Sequence, residues 1–483
     1  MQFNSYGFIL FFLPISTFIY FMAAKIKPTL SKLVLIISSI AFFAIGRPEM
    51  LAFLAGSVTI NYSAAVLIRK AGTKNKLHLT IPVIINAALL LYFKYLDFAL
   101  HNINALFGTD IGLRNLILPL GISFYTFQQI AYIVAVWNGE LKDVDITDYL
   151  TYILYYPKLV MGPLADPVDF IAQINQDSRK KVNLANITSG IKIFSYGLFK
   201  KAMLADTFSK AVTWTHGHIH AATSMDCVLL IIFYTFEIYF DFSGYCDMAT
   251  GISSMINIDL PMNFDSPYKA VSIRDFWKRW HITLTGFLTK YIYIPLGGSR
   301  KGIATTYLNT IIVFLVSGLW HGANWTFILW GLLHGLLSCF DRLAAKAQER
   351  IPRFIRWFFT LAVVSVLWLL FSSDSVKQWL EVLKKIMSMQ SGISVSDNLI
   401  DSFNLSENPL IYSIPGIDFL RHRIKGFNML VFTFVSCIIC FIPENNYRKR
   451  DRLTIVDLIL SSLAFIWGII CLGSESTFLY FGF

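Results

Sequence analysis

One apolar run follows another along this chain, and that succession limits what it can fold into. Runs long enough to cross a bilayer, or nearly so, lie near 7–23, 33–46, 50–68, 79–98, 116–136, 187–213, 226–243, 304–320, 324–340, 356–372, 427–443 and 454–472. A helix needs roughly 20 apolar residues to cross the hydrocarbon layer. Over 483 residues the charged fraction is only 15% and the hydrophobic fraction 55%, whereas soluble domains carry roughly 25% charged residues. Too little charge remains to coat a water-facing surface. A water-soluble globular enzyme, a disordered chain and a secreted disulfide scaffold are therefore excluded. The expected fold is an all-α polytopic membrane protein, one membrane domain over residues 1–483 with about 11–12 transmembrane helices. Two semi-apolar stretches near 149–164 and 281–297 contain Pro and Gly, which suits re-entrant or interfacial segments.

The net charge of +11 fits basic loops on the cytoplasmic side better than a nucleic-acid partner. If the first helix starts outside and both semi-apolar segments re-enter from the cytoplasmic side, the loops with Lys25, Lys27 and Lys32, with Arg179 to Lys181, with Lys269 to Arg279 and with Arg448 to Arg452 all fall inside. The loops near 99–115 and 214–225 fall outside and hold one Arg between them. Both termini are then outside. The apolar run Gly7–Met22 has no positive charge before it, so it reads as a retained helix rather than a secretory signal. Cys437 and Cys440 form a C-x-x-C inside an apolar run and read as helix-packing residues. Residues 374–426 form a polar external insertion, equally readable as a mobile loop or as a platform for a partner. There is no internal repeat of the kind transporters show.

Polar residues concentrate between Glu237 and His334. His321 lies between two apolar runs and is flanked by Gly318 and Gly322. An ionisable group at that depth is a functional candidate, and histidine can take a proton from an alcohol near neutral pH. Trp320 and Asn324 are candidates to orient the ring or shape a pocket. His281 ends the segment WKRWH; on a continuous helix Trp277 and His281 would share a face. Lys278 and Arg279 suit an anionic ligand such as a nucleotide phosphate, or an interfacial helix with snorkelling bases. Glu237, Asp241 and Asp247 are candidate buried acids, with a helix break expected at Ser243-Gly244 and pairing with Lys or Arg more natural than metal ligation. His334, thirteen residues past His321, would face the opposite side of a shared helix, so no two-histidine metal site is expected there. The H-x-H-x-H of His216, His218 and His220 reads as plain loop before metal site. Neither a nucleotide cradle nor a G-x-S-x-G elbow is present.

Seven ordered motifs carry a resemblance: Leu118–Gln129 (LPLGISFYTFQQ), Tyr155–Leu164 (YYPKLVMGPL), Tyr239–Gly251 (YFDFSGYCDMATG), Asn263–Tyr268 (NFDSPY), Phe276–Leu284 (FWKRWHITL), Tyr291–Gly302 (YIYIPLGGSRKG) and Gly318–Gly335 (GLWHGANWTFILWGLLHG), with an aromatic tail FLYFGF over Phe478–Phe483. Together they resemble the membrane-bound O-acyltransferase family, in its alginate O-acetylase-like branch. The resemblance implies a helical bundle around a central tunnel in a bacterial-type cytoplasmic membrane. It implies transfer of an acyl group, typically from acetyl-CoA as substrate with no bound cofactor, to a hydroxyl of an extracytoplasmic glycan, directly or through an SGNH/esterase-like partner protein. His321 and His281 map onto the family's histidines as catalytic residues. Lys278 and Arg279 would meet donor phosphates, and Trp280, Trp320, Asn324 and Asp241 would line the tunnel. No metal is implied. Thr289 and Lys290 stand where the branch usually has Arg-Asp. D-alanyl transfer of the teichoic-acid type and, in another class, a polymer or solute transporter are the alternatives.

Overall fold

The computed structural model describes residues 1–46, 48–71, 76–389, 391–405, 423–473 and 478–479. Part of the expected external insertion, residues 406–422, and the end of the aromatic tail, residues 480–483, lie outside the described residues. Among the described residues eight helices are long and apolar enough to cross a membrane: Phe8–Ile26, Pro28–Gly46, Pro48–Ala71, Lys76–Phe107, Ser224–Met255, Ile303–His321, Arg353–Ser372 and Ile424–Phe441. Ile122–Asn138, Trp325–Leu343 and Ile455–Ile470 add three further apolar helices near expected spans. The chain is an all-α, multi-pass membrane protein. Neither semi-apolar stretch forms a full span. The first becomes Ile146–Leu154 and Tyr156–Leu159, and the second becomes Ile282–Leu288 and a π turn at Thr289–Tyr293.

The chain folds into two compact units. The first comprises Met1–Ser195, Tyr245–Met262 and Arg450–Ser462. Within it three helices are tied together by buried amides: the Asn61 Nδ2 and Ser57 Oγ groups each donate to Gln129 Oε1 at 2.9 Å, and Asn86 Nδ2 donates to Asn61 Oδ1 at 2.6 Å. Such bonds hold membrane helices where lipid supplies no hydrophobic drive between them. Lys158, fully buried, donates to Gln128 and to the Tyr152 carbonyl and lies over the Tyr152 ring.

The second unit comprises Tyr196–Gly244, Asn263–Lys449 and Leu463–Phe483. The expected span at 187–213 is a helix interrupted by a π turn at Phe199–Ala205. That turn carries Lys201, whose ammonium pairs with Asp241 at 2.7 Å and Asp206 at 2.8 Å. Asp241 also accepts from the Leu479 backbone N–H at 3.1 Å. The helix break expected at Ser243-Gly244 does not occur, because Ser224–Met255 is one continuous helix. Gly244 serves close approach instead: a Cβ there would lie 2.9 Å from the Gly197 carbonyl oxygen. The H-x-H-x-H histidines are engaged locally, His216 with the Ser372 hydroxyl at 2.9 Å and His218 with the Trp214 carbonyl at 2.8 Å. The described part of the polar insertion includes the helix Val376–Ser388. Lys385 donates from it to the carbonyls of Ile219 and His220.

The helices Ile303–His321 and Trp325–Leu343 form the tightest hairpin around the histidines. A Cβ on Gly318 would lie 2.3 Å from the Phe327 carbonyl oxygen, and one on Gly331 would lie 2.4 Å from that of Phe314. Backbone, not a movable side chain, blocks both positions. Gly318→Val therefore forces the two helices apart. The expected result is loss of monodisperse protein in detergent by size-exclusion chromatography, while Gly56→Ala, with open space around its Cβ, elutes as the parent does.

Candidate active site

His321 is the last residue of its helix. Gly322 turns the chain into an extended conformation, and Asn324 restarts it by capping the next helix, its Oδ1 accepting from Thr326 N–H at 3.1 Å. The amide nitrogen of Asn324 donates to the Asp374 carbonyl at 2.9 Å. Asn324 thus fixes the corner after His321 through the backbone. Its recorded bonds are to Thr326 and Asp374. The same corner revises the expectation for His334. It lies on the second helix of the hairpin, so rotation along one helix does not separate it from His321.

Aromatic rings enclose His321, which is 4% exposed. Ring centroids of Trp320, Phe371 and Trp330 lie 4.8, 4.9 and 5.4 Å away. Trp330 also meets His334 at 4.8 Å, and Trp277 Nε1 donates to His334 Nδ1 at 3.2 Å. On the other side the Trp320 ring lies 6.1 Å from that of His281. Three buried imidazoles are therefore linked through two tryptophans. Sequence pattern alone does not bring His334 and Trp330 to His321; the Gly322–Asn324 interruption is the signal that folds them back onto it.

His281 is at a corner rather than on a helix face. The helix Ile273–Arg279 ends, Trp280 is extended, and His281 takes a left-handed conformation with φ 45° before Ile282–Leu288 begins. The shared helical face expected for Trp277 and His281 does not form: Trp277 reaches His334, while His281 packs against Phe242 at 4.7 Å. A non-glycine residue held at positive φ is uncommon, and its neighbours must enforce it. Here the Asn263 carbonyl accepts from Ile282 N–H at 3.0 Å, and Asp265 N–H donates to the Arg279 carbonyl at 2.9 Å. Asn263 Oδ1 additionally meets His281 Nδ1 at 3.1 Å. The NFDSPY and WKRWH motifs are thus two halves of one corner.

Of the expected tunnel residues, Trp280 is buried against Trp368 at 4.7 Å and Phe276 at 5.6 Å. Asp241 has its recorded partners in Lys201 and Leu479. Arg279 is paired with Asp275 at 2.8 Å. Lys278 instead lines a cavity of about 260 Å³ together with Arg274, Arg342, Leu284, Phe314 and Ser317. Ser317 is one helical turn before His321. The cavity combines three exposed cations with apolar walls, a composition that suits an anionic head on a slender arm.

The model of the MBOAT, membrane-bound O-acyltransferase, family matches residues 138–373. Over its whole length the chain is 33% identical to a peptidoglycan O-acetyltransferase of Helicobacter pylori, covering 98% of that protein. It is 36% identical to a probable alginate O-acetylase of Pseudomonas putida, with 78% of each chain covered. A teichoic acid D-alanyltransferase of Streptococcus thermophilus is 28% identical over 47% of this chain and 57% of its own. The chain belongs to the membrane-bound O-acyltransferase family. It is an O-acyltransferase enzyme, and the matched region contains His281, His321 and His334 and every residue lining the 260 Å³ cavity.

Proposed function

We propose that this acyltransferase moves an acetyl group from acetyl-CoA on the cytoplasmic side to a hydroxyl of an extracytoplasmic glycan, directly or through an SGNH/esterase-like partner. The observation that carries the reading is the pairing of buried His321 with a cation-lined cavity that reaches Ser317, one turn away. The relatives named above act on peptidoglycan and alginate, which supports a cell-surface polysaccharide as acceptor. The host membrane is the bacterial cytoplasmic membrane, with both termini outside by the distribution of basic loops.

In the proposed step His321 takes the proton of the acceptor hydroxyl as its oxygen attacks the thioester carbonyl. The C–S bond breaks, the ester C–O bond forms, and the imidazolium returns the proton to the departing thiolate. His281 is the second imidazole of the site. Arg274, Lys278 and Arg342 hold donor phosphates; Arg279, occupied by Asp275, orients the short helix that bears Lys278.

Inverted membrane vesicles given acetyl-labelled CoA test the donor and its side. Label should enter glycan in inverted vesicles and not in right-side-out ones. Label from a D-alanyl carrier protein in place of acetyl-CoA would sink the acetyl reading in favour of D-alanyl transfer. The variant Arg274→Gln/Lys278→Gln/Arg342→Gln should raise KM for acetyl-CoA about tenfold, equal to about 1.4 kcal/mol of binding, with kcat little changed. An unaltered KM would remove the cavity from donor binding.

A further inference from the structure

The corner that holds His281 fixes which of its nitrogens carries the proton. Asn263 Oδ1 receives the Thr283 backbone N–H at 3.2 Å and the Thr283 hydroxyl at 2.9 Å. A backbone N–H can only donate, so the atom it meets is the amide oxygen, not the amide nitrogen. The same oxygen lies 3.1 Å from His281 Nδ1. Two acceptors do not bond, so Nδ1 carries the hydrogen. A neutral imidazole with its proton on Nδ1 has a bare lone pair on Nε2. That nitrogen is buried and has no hydrogen-bond partner among the described residues. The left-handed backbone of His281, strapped to Asn263 by the Ile282 N–H, prevents the ring from drifting away from its acceptor.

We propose that Asn263 is a positioning residue that holds His281 as the Nδ1–H tautomer and so offers the bare Nε2 to a substrate hydroxyl other than the one His321 deprotonates. The purpose of that arrangement rests on the acyl-transfer reading above; the tautomer itself does not. Asn263 touches no reacting atom and acts through His281. Outer partners of metal-bound histidines are worth about 10- to 100-fold in metal affinity or activity, and the same scale is expected of Asn263 acting through His281. It acts on orientation and on which nitrogen is free.

The test is long-range ¹⁵N–¹H correlation on the ¹⁵N-histidine-labelled full chain in detergent. His281 is assigned by the signal lost in His281→Gln. The parent should show a protonated Nδ1 and an unprotonated Nε2. In Asn263→Leu that pattern should give way to an Nε2–H or mixed population, with transfer falling about 10- to 100-fold. Asn263→Asp, which keeps an acceptor oxygen, should restore both the pattern and most of the rate. A parent spectrum with the proton on Nε2, or an unchanged His281 pattern in Asn263→Leu, overturns the proposal even if the leucine variant folds poorly. Wild-type transfer by His281→Gln would instead remove His281 from the reaction, and the parent spectrum would still decide the tautomer.

Discussion

His321→Ala should reduce acetyl transfer by about 100- to 10,000-fold, the contribution typical of a positioned general base. The loss should fall on kcat, with KM for acetyl-CoA nearly unchanged, because the substitution leaves the cavity cations Arg274, Lys278 and Arg342 in place. The packing argument predicts some loss of stability too, since Trp320, Phe371 and Trp330 all rest on this ring. His321→Gln is therefore the better comparison. It fills most of the volume and keeps hydrogen-bonding capacity, yet it cannot accept a proton at neutral pH. Membranes bearing either variant at parental expression should be nearly inactive. Transfer at more than a tenth of the parental rate by His321→Gln would end the assignment of this imidazole as the base.

Lys201→Met should strongly destabilise the second unit. Its ammonium holds Asp241 and Asp206, and the side chains of Lys201 and Asp241 are only 3% and 2% exposed. Removing one partner of a buried ion pair costs about 3–5 kcal/mol, because the remaining charge has lost its compensation. Lys201→Met/Asp206→Asn/Asp241→Asn removes charge from all three positions and should recover much of that loss. Thermal unfolding of purified protein in detergent reads both. A Lys201→Met midpoint equal to the parent's would show that the pair contributes nothing to the fold.

Much of this architecture was legible in the sequence, for a simple reason. Apolar length is a one-dimensional property, and lipid selects helices from it without tertiary information. Hence the spans and the two short semi-apolar stretches could be placed by inspection. The features that differ from the sequence pattern have another physical origin. Ser243-Gly244 suggested a break, but a glycine also permits two backbones to approach, and only the neighbouring Gly197 decides which use applies. Trp277 and His281 had helical spacing, but the helix stops at Arg279 because the NFDSPY segment pulls the chain into a corner. The pairing of Asp241 with a basic residue was foreseeable from the energetics of buried charge. That the base is Lys201, forty residues earlier, was not, since a π turn sets its direction. His321 and His281 were visible as polar exceptions in an apolar chain. The rings that join them, and His334 beyond, emerge only when the hairpin closes.

The rings around His321 have a consequence for fidelity. Water is a competing nucleophile present at vastly higher concentration than any sugar hydroxyl, and a base that deprotonates one can deprotonate the other. Under the proposed assignment of His321 as the base, a residue only 4% exposed and walled by Trp320, Trp330 and Phe371 is shielded from idle solvent. On that proposal the aromatic enclosure would set a partition ratio, the number of acyl groups delivered for each one wasted to hydrolysis. Opening that wall should make the enzyme a thioesterase before it makes it inactive.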